Sequence, residues 1–327
     1  DYFNTKLYTG NGSTNAITGV GHQPDFTWIK NRDGTRSHYL FDAVRGATKE
    51  LNSNNTNDEN TNANGLTTFG TDGFTVGSEG EMNANSATFV SWNWKAGTTG
   101  SGTTTGSGTG KAYSYSVNTT AGFSIVKYTG NGTSGQQIPH HLGVIPKMII
   151  QKRLPTDGAG WNVYHHSLGL NYLMLQSTNA SASDSGKYNA NPTSTYVQIG
   201  NDGGMNTNDA EHILYCFAEK TGYSKFGSYT GNGQSDGTFV YTGFKPAFVL
   251  IKRDGSGENW TIRDNKRDGI NVTNKTLQPN SSNAEASSSD YDMDLLSNGF
   301  KLRANSGHSN SSGQTMIYMA FGQSLVG

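Results

Sequence analysis

The pentapeptide Tyr8-Thr9-Gly10-Asn11-Gly12 returns unchanged as Tyr128-Thr129-Gly130-Asn131-Gly132 and as Tyr229-Thr230-Gly231-Asn232-Gly233, at intervals of 120 and 101 residues. Self-similarity on this scale marks a repeated structural unit. Roughly twenty residues after the start of each copy comes an apolar run that ends in basic or amide side chains: Phe26-Thr27-Trp28-Ile29-Lys30-Asn31-Arg32, Lys147-Met148-Ile149-Ile150-Gln151-Lys152-Arg153 and Phe248-Val249-Leu250-Ile251-Lys252-Arg253. A proline precedes each run, at Pro24, Pro146 and Pro246. Each unit closes on a second aromatic-rich run, Thr88–Trp94, His212–Ala218 and Thr315–Phe321. Matched features in the same order make three homologous units.

The runs are short, alternate apolar with polar residues, as in Thr195-Tyr196-Val197-Gln198-Ile199, and are separated by Gly, Asn, Asp and Ser clusters. That is the pattern of half-buried strands joined by turns. Composition agrees. Of 327 residues, 43 are Gly, only 32% are hydrophobic and 15% charged, so the balance is neutral and polar. Ser, Thr and Asn compete with the helix for backbone hydrogen bonds, and Gly weakens a helix interior. With 14 Phe, 16 Tyr and 5 Trp to bury, the chain still has a core. The expected fold is all-β, with three tandem antiparallel β-sandwich modules of jelly-roll or lectin-like topology.

The expected boundaries are 1–97, 111–221 and 222–327, with 98–110 as a Gly/Ser/Thr linker. Its sequence, Thr-Thr-Gly-Ser-Gly-Thr-Thr-Thr-Gly-Ser-Gly-Thr-Gly, reads as a flexible tether. On that reading units two and three pack as a rigid pair while unit one swings. The polar stretches 52–64 and 280–290 belong on the outer surface. The pentapeptide reads as a structural corner with the chemistry of a tight hairpin turn. It is no phosphate loop, because neither a helix pattern nor Gly-Lys-Ser/Thr follows.

A net charge of −1 leaves no basic surplus for phosphates, so nucleic acid is not an expected partner. Apolar runs of about six residues are too short for membrane insertion. The single Cys216 excludes an intramolecular disulfide and reads as a small core hydrophobe. No charged-then-apolar leader precedes Asp1, so the chain is expected to be processed, trimmed or a fragment. His140-His141 and His165-His166 are adjacent pairs, but neighbours on a strand point to opposite faces and cannot easily share a metal. Glu79-Gly80-Glu81 reads as a solvated turn without a counterpart in the other units. No catalytic, cofactor-binding or metal-ligating residue is assigned. Val90, Trp92 and Trp94 share one strand face that looks inward. Trp161, after a Gly-rich turn, is the expected exposed ring for glycan contact.

The wording of the repeats resembles a known group of sequences. Leu7-Tyr8-Thr9-Gly10-Asn11-Gly12-Ser13, Phe41-Asp42-Ala43-Val44-Arg45-Gly46-Ala47-Thr48-Lys49, Val90-Ser91-Trp92-Asn93-Trp94-Lys95-Ala96-Gly97 and Leu296-Ser297-Asn298-Gly299-Phe300-Lys301-Leu302 resemble uncharacterised repeat domains in tail-fibre-like and other virion proteins of marine and freshwater bacteriophages. The resemblance implies a β-rich, non-enzymatic structural or adhesive element outside the cell, with no catalytic residues to carry over. Three roles follow: a structural subunit of a virion or extracellular appendage that assembles as a homo-oligomer or filament; a bacterial pilus-like fibril; and a module for cell-surface glycans. In the fibril role Tyr2, Phe3, Leu7 and Tyr8 form the candidate donor strand.

Overall fold

The computed structural model describes residues 1–155, 158–255 and 257–323. The chain is all-β and antiparallel throughout. Each repeat contributes a broad sheet whose four shared strands stand in the order opening, closing, basic and fourth. The opening strands are Phe3–Thr9, Phe123–Thr129 and Ser224–Thr230; the closing strands are Thr88–Trp94, Glu211–Phe217 and Thr315–Phe321. The basic strands are Phe26–Asn31, Met148–Arg153 and Phe248–Arg253; the fourth strands are His38–Asp42, Asn162–His165 and Thr261–Asp264.

A three-stranded sheet covers one face of each broad sheet and closes a local core against it. In the first repeat Ile17, Leu66, Phe74 and Val76 of the small sheet meet Ile29, Phe41 and Phe89 of the broad one. The second and third repeats repeat this layering. The opposite face of every broad sheet turns into one core common to the whole chain. Phe3, Trp92 and Trp94 of the first repeat, Phe123, Tyr215 and Phe217 of the second, and Phe248, Met319 and Phe321 of the third all belong to it. Closing strands are thus buried on both faces, which is why they read as nearly continuous apolar runs.

This shared core corrects two expectations. Unit one does not swing, because Trp94 packs on Phe217 of the second repeat and on Phe248 and Phe321 of the third. Residues 98–110 are not a free tether either. Thr98–Thr103 pairs with Ala112–Asn118 as a strand of the second broad sheet, and Thr105–Gly106 pairs with Gln136–Pro139 in the small sheet. Thr and Ser suit an extended backbone, and the glycines admit two tyrosine rings. A Cβ at Gly100 would stand 2.6 Å from the Tyr115 hydroxyl, and one at Gly102 would stand 2.7 Å from that of Tyr113.

Candidate functional site

The pentapeptide is a corner, but not a hairpin. Its flanking strands Phe3–Thr9 and Asn15–Thr18 belong to different layers, so the turn carries the chain from the broad to the small sheet. Each residue has a task. The tyrosine hydroxyls of Tyr8, Tyr128 and Tyr229 donate to the carbonyls of Met82, Met205 and Ser309. The first glycine permits close approach: a Cβ at Gly10, Gly130 or Gly231 would lie 2.1, 2.3 or 2.3 Å from a carbonyl oxygen. The last glycine has positive φ, at 69°, 70° and 65°.

A buried asparagine outside the pentapeptide holds each corner. Asn83, Asn206 and Asn310 accept from the N–H groups of Asn11, Asn131 and Asn232 at 3.0, 2.8 and 3.0 Å. Their amide nitrogens donate to backbone carbonyls on both sides, Gly77 and Ser13, Gly200 and Thr133, or Ala304 and Gln234. Sequence reading missed these residues, although each stands five positions before its closing strand. It also missed that Glu79 has counterparts: Glu79, Asp202 and Ser306 each accept, through the backbone carbonyl, from the N–H of this asparagine. Asn206→Ala leaves several buried partners unbonded and is expected to cost about 2–4 kcal/mol. Urea denaturation with an unchanged slope checks this; a loss below about 0.5 kcal/mol would show that water replaces the side chain.

Two buried carboxylates lie at the seams between repeats. Asp42 and Asp264 occupy matched ends of the fourth strands, each gripped by an arginine three residues on: Arg45 Nε at 2.5 Å and Arg267 Nε at 2.6 Å. Both arginines also donate Nη2 to a carbonyl of the same strand, Leu40 or Ile262, at 2.9 Å. The free lone pairs then receive a neighbouring repeat. Tyr215 Oη donates to Asp42 at 2.7 Å, and Trp92 Nε1 donates to Asp264 at 3.1 Å. His165 stands at the same place in the second repeat, with Nε2 3.1 Å from the Tyr318 carbonyl. Burial pushes the Asp264 carboxyl up, but Arg267 and two backbone N–H donors outweigh it and hold it below the ordinary carboxylate range.

Trp161, the expected glycan contact, is fully buried in the shared core and donates Nε1 to the Asn52 carbonyl of the first repeat at 2.7 Å. Trp260 does the same to Met174 at 3.1 Å. An indole at this position is a seam pin, not a sugar platform. The polar stretches expected outside are seam straps as well. Glu59 and Glu285 donate their N–H to Leu154 and Arg32 of neighbouring repeats, and Thr56 and Ser282 accept from Gly158 and Arg36.

The candidate donor strand is already engaged in its own sheet. Phe3–Thr9 pairs along its length with Thr88–Trp94. Phe3 is fully buried, Tyr8 stacks on Phe89 at 5.0 Å, Leu7 packs against the shared core, and Tyr2 meets Tyr223 edge-on. The histidine pairs are engaged too: His140 contacts the Thr193 carbonyl and the Leu142 N–H, and His165 the Tyr318 carbonyl and the Ser167 N–H. Cys216 is buried, and burial pushes its thiol up.

Phe3–Thr9 and Ser224–Thr230 are edge strands that carry Lys6 and Lys225, whereas a third edge carries no charge. Thr98–Thr103 has a strand partner on one side only and is mostly exposed. On one face Tyr113 and Tyr115 lie over its glycines, with the His141 ring stacked on Tyr115 at 3.8 Å and its Nε2 3.0 Å from the Tyr113 hydroxyl. His141 sits at φ 60°, an uncommon conformation for a non-glycine residue. The result is an uncharged edge strand of six residues with no strand partner along its outer side.

Residues 1–324 match the family described as a domain of unknown function, DUF7483, and the chain belongs to that family. No curated protein and no solved structure matches it.

Proposed function

We propose that this DUF7483 chain is a non-enzymatic structural subunit of an extracellular or virion appendage that assembles with copies of itself through sheet edges. The observation that carries this reading is the open edge Thr98–Thr103. An unpaired, uncharged strand is a template for pairing with another chain, and proteins that must stay monomeric usually guard such edges with charge, proline or a bulge. This edge has none of these. The shared core supports the same role, because a body closed on itself can transmit load as one piece. The pilus-like alternative is less well supported, since residues 1–8 are held within their own repeat.

Negative-stain electron microscopy and sedimentation velocity test the proposal. The purified chain is expected to form filaments or discrete oligomers, and Thr99→Lys with Ser101→Lys is expected to leave compact monomers with an unchanged melting temperature. Monomers for the unaltered chain at all accessible concentrations, or assemblies that survive both lysines, overturn it.

A further inference from the structure

Most of the large exposed apolar side chains gather at one end of the protein. Seven large ones are exposed among the described residues. Five of them, Val144, Ile145, Leu170, Tyr241 and Ile270, stand in or beside turns that flank one layer of the shared core. That layer contains Phe26, Met148 and Phe248, the first residues of the basic strands. Val144 and Ile145 enter Met148 directly, and Leu170 follows His165, which pairs with Met148. Tyr241 leads through residues 242–247 into Phe248, and Ile270 follows Asp264, which pairs with Phe248. Ile270 is 78% exposed and lines a cleft of about 240 Å³ with Lys245 and Leu295. Phe239 and Val272, the remaining two, lie on the third repeat nearer its pentapeptide corner: Thr238, beside Phe239, donates to the Thr230 carbonyl, and Val272 lines a cleft with Ser235 and Asp236.

Lysines frame the same end. Lys95 follows Trp94, Lys147 precedes Met148, Lys220 follows the Phe217 strand end, and Lys245 and Lys266 flank the third basic and fourth strands. None of the five has a carboxylate within ion-pair distance among the described residues. Of the nearby acids, Glu219 pairs with Lys225, Asp268 with Lys275, and Asp72 accepts from the N–H groups of Gly19 and Gly21, while Asp1 lies beside Gly21, next to Tyr2, whose carbonyl accepts from the Lys95 N–H. Apolar tips on separate turns, with neighbouring lysines that have no ion-pair partner among the described residues, are the surface chemistry of peripheral membrane contact. The apolar tips enter the headgroup layer while the lysines face lipid phosphates.

We propose that this end docks peripherally on an anionic lipid surface. It does so without spanning, since no helix among the described residues is long and apolar enough to cross a membrane. The apolar tips come from the second and third repeats, while the first presents Gln23 and Ala47 at the matched turns. The protein therefore sits tilted toward the second and third repeats. This inference stands apart from edge assembly and uses none of its residues.

Vesicle co-sedimentation tests it, with phosphatidylglycerol and phosphatidylcholine in equal parts against phosphatidylcholine alone. Binding is expected to the anionic vesicles only and to weaken with salt. Ile145→Asp with Ile270→Asp, and separately Lys245→Glu with Lys266→Glu, are expected to weaken it at least about tenfold. These positions are at the surface, and an unchanged circular dichroism melt verifies that the variants fold. Lack of binding to either vesicle, or binding that all four substitutions leave unchanged, overturns the proposal. So does a dimer in sedimentation velocity that Ile145→Asp with Ile270→Asp dissociates while vesicles remain unbound, because the patch would then be covered by a second copy.

Discussion

Trp94→Ala is expected to destabilise the entire chain by about 3–5 kcal/mol, and to do so in a single unfolding transition. The indole is 1% exposed and packs on Phe3 and Phe26 of its own repeat, Phe217 of the second, and Phe248 and Phe321 of the third. Truncation opens a cavity where all three broad sheets meet, so no repeat keeps an intact inner face. Differential scanning calorimetry separates this from an arrangement of independent modules. If only one of several transitions moves, or if the melt of the unaltered chain resolves into three, the core is not shared energetically.

Acid is expected to destabilise the protein progressively from about pH 6.5 downward, before carboxylates normally titrate. Burial lowers the imidazoles of His22 and His140 to about 4 and those of His165 and His212 to about 3. In the unfolded chain they titrate near 6.5. Between these values the unfolded state binds more protons than the folded one, so stability is complete above about pH 6.5 and falls as the pH drops toward 4. With about 1.4 kcal/mol for each pH unit and group, each of the four removes about 3 kcal/mol by pH 4. Their sum is comparable with the whole stability of a typical domain. His38, fully buried beside Trp28 and Trp92, shifts the same way. The melting temperature is therefore expected to fall steeply from pH 6.5 to about 4.5, and His212→Gln to flatten that slope whatever it does at neutral pH. A melting temperature independent of pH over this range would mean that the histidines are hydrated in solution.

The repeats, the strands and their inward faces were legible in the sequence because they depend on local signals. Strand periodicity made Val90, Trp92 and Trp94 one buried face, and it is one. The glycines of the pentapeptide marked a corner for reasons intrinsic to the backbone, namely positive φ and close approach. The asparagines that hold those corners escaped notice because their partners are backbone atoms up to 78 residues away, and a carbonyl carries no sequence signature.

By itself the sequence determined that the chain is antiparallel β-structure built from a repeated unit, since alternation, turn residues and composition act within a few residues of one another. Only the tertiary structure decided what the second face of each broad sheet meets. That choice places Trp161 in a seam instead of on a surface, makes straps of 52–64 and 280–290, and turns 98–110 into an ordered strand. A strand's pattern states that a face is apolar but not which apolar face will cover it. Three homologous sheets with large aromatic inner faces bury most surface by covering one another, and burial of that extent outweighs the looseness that a Gly/Ser/Thr composition suggests.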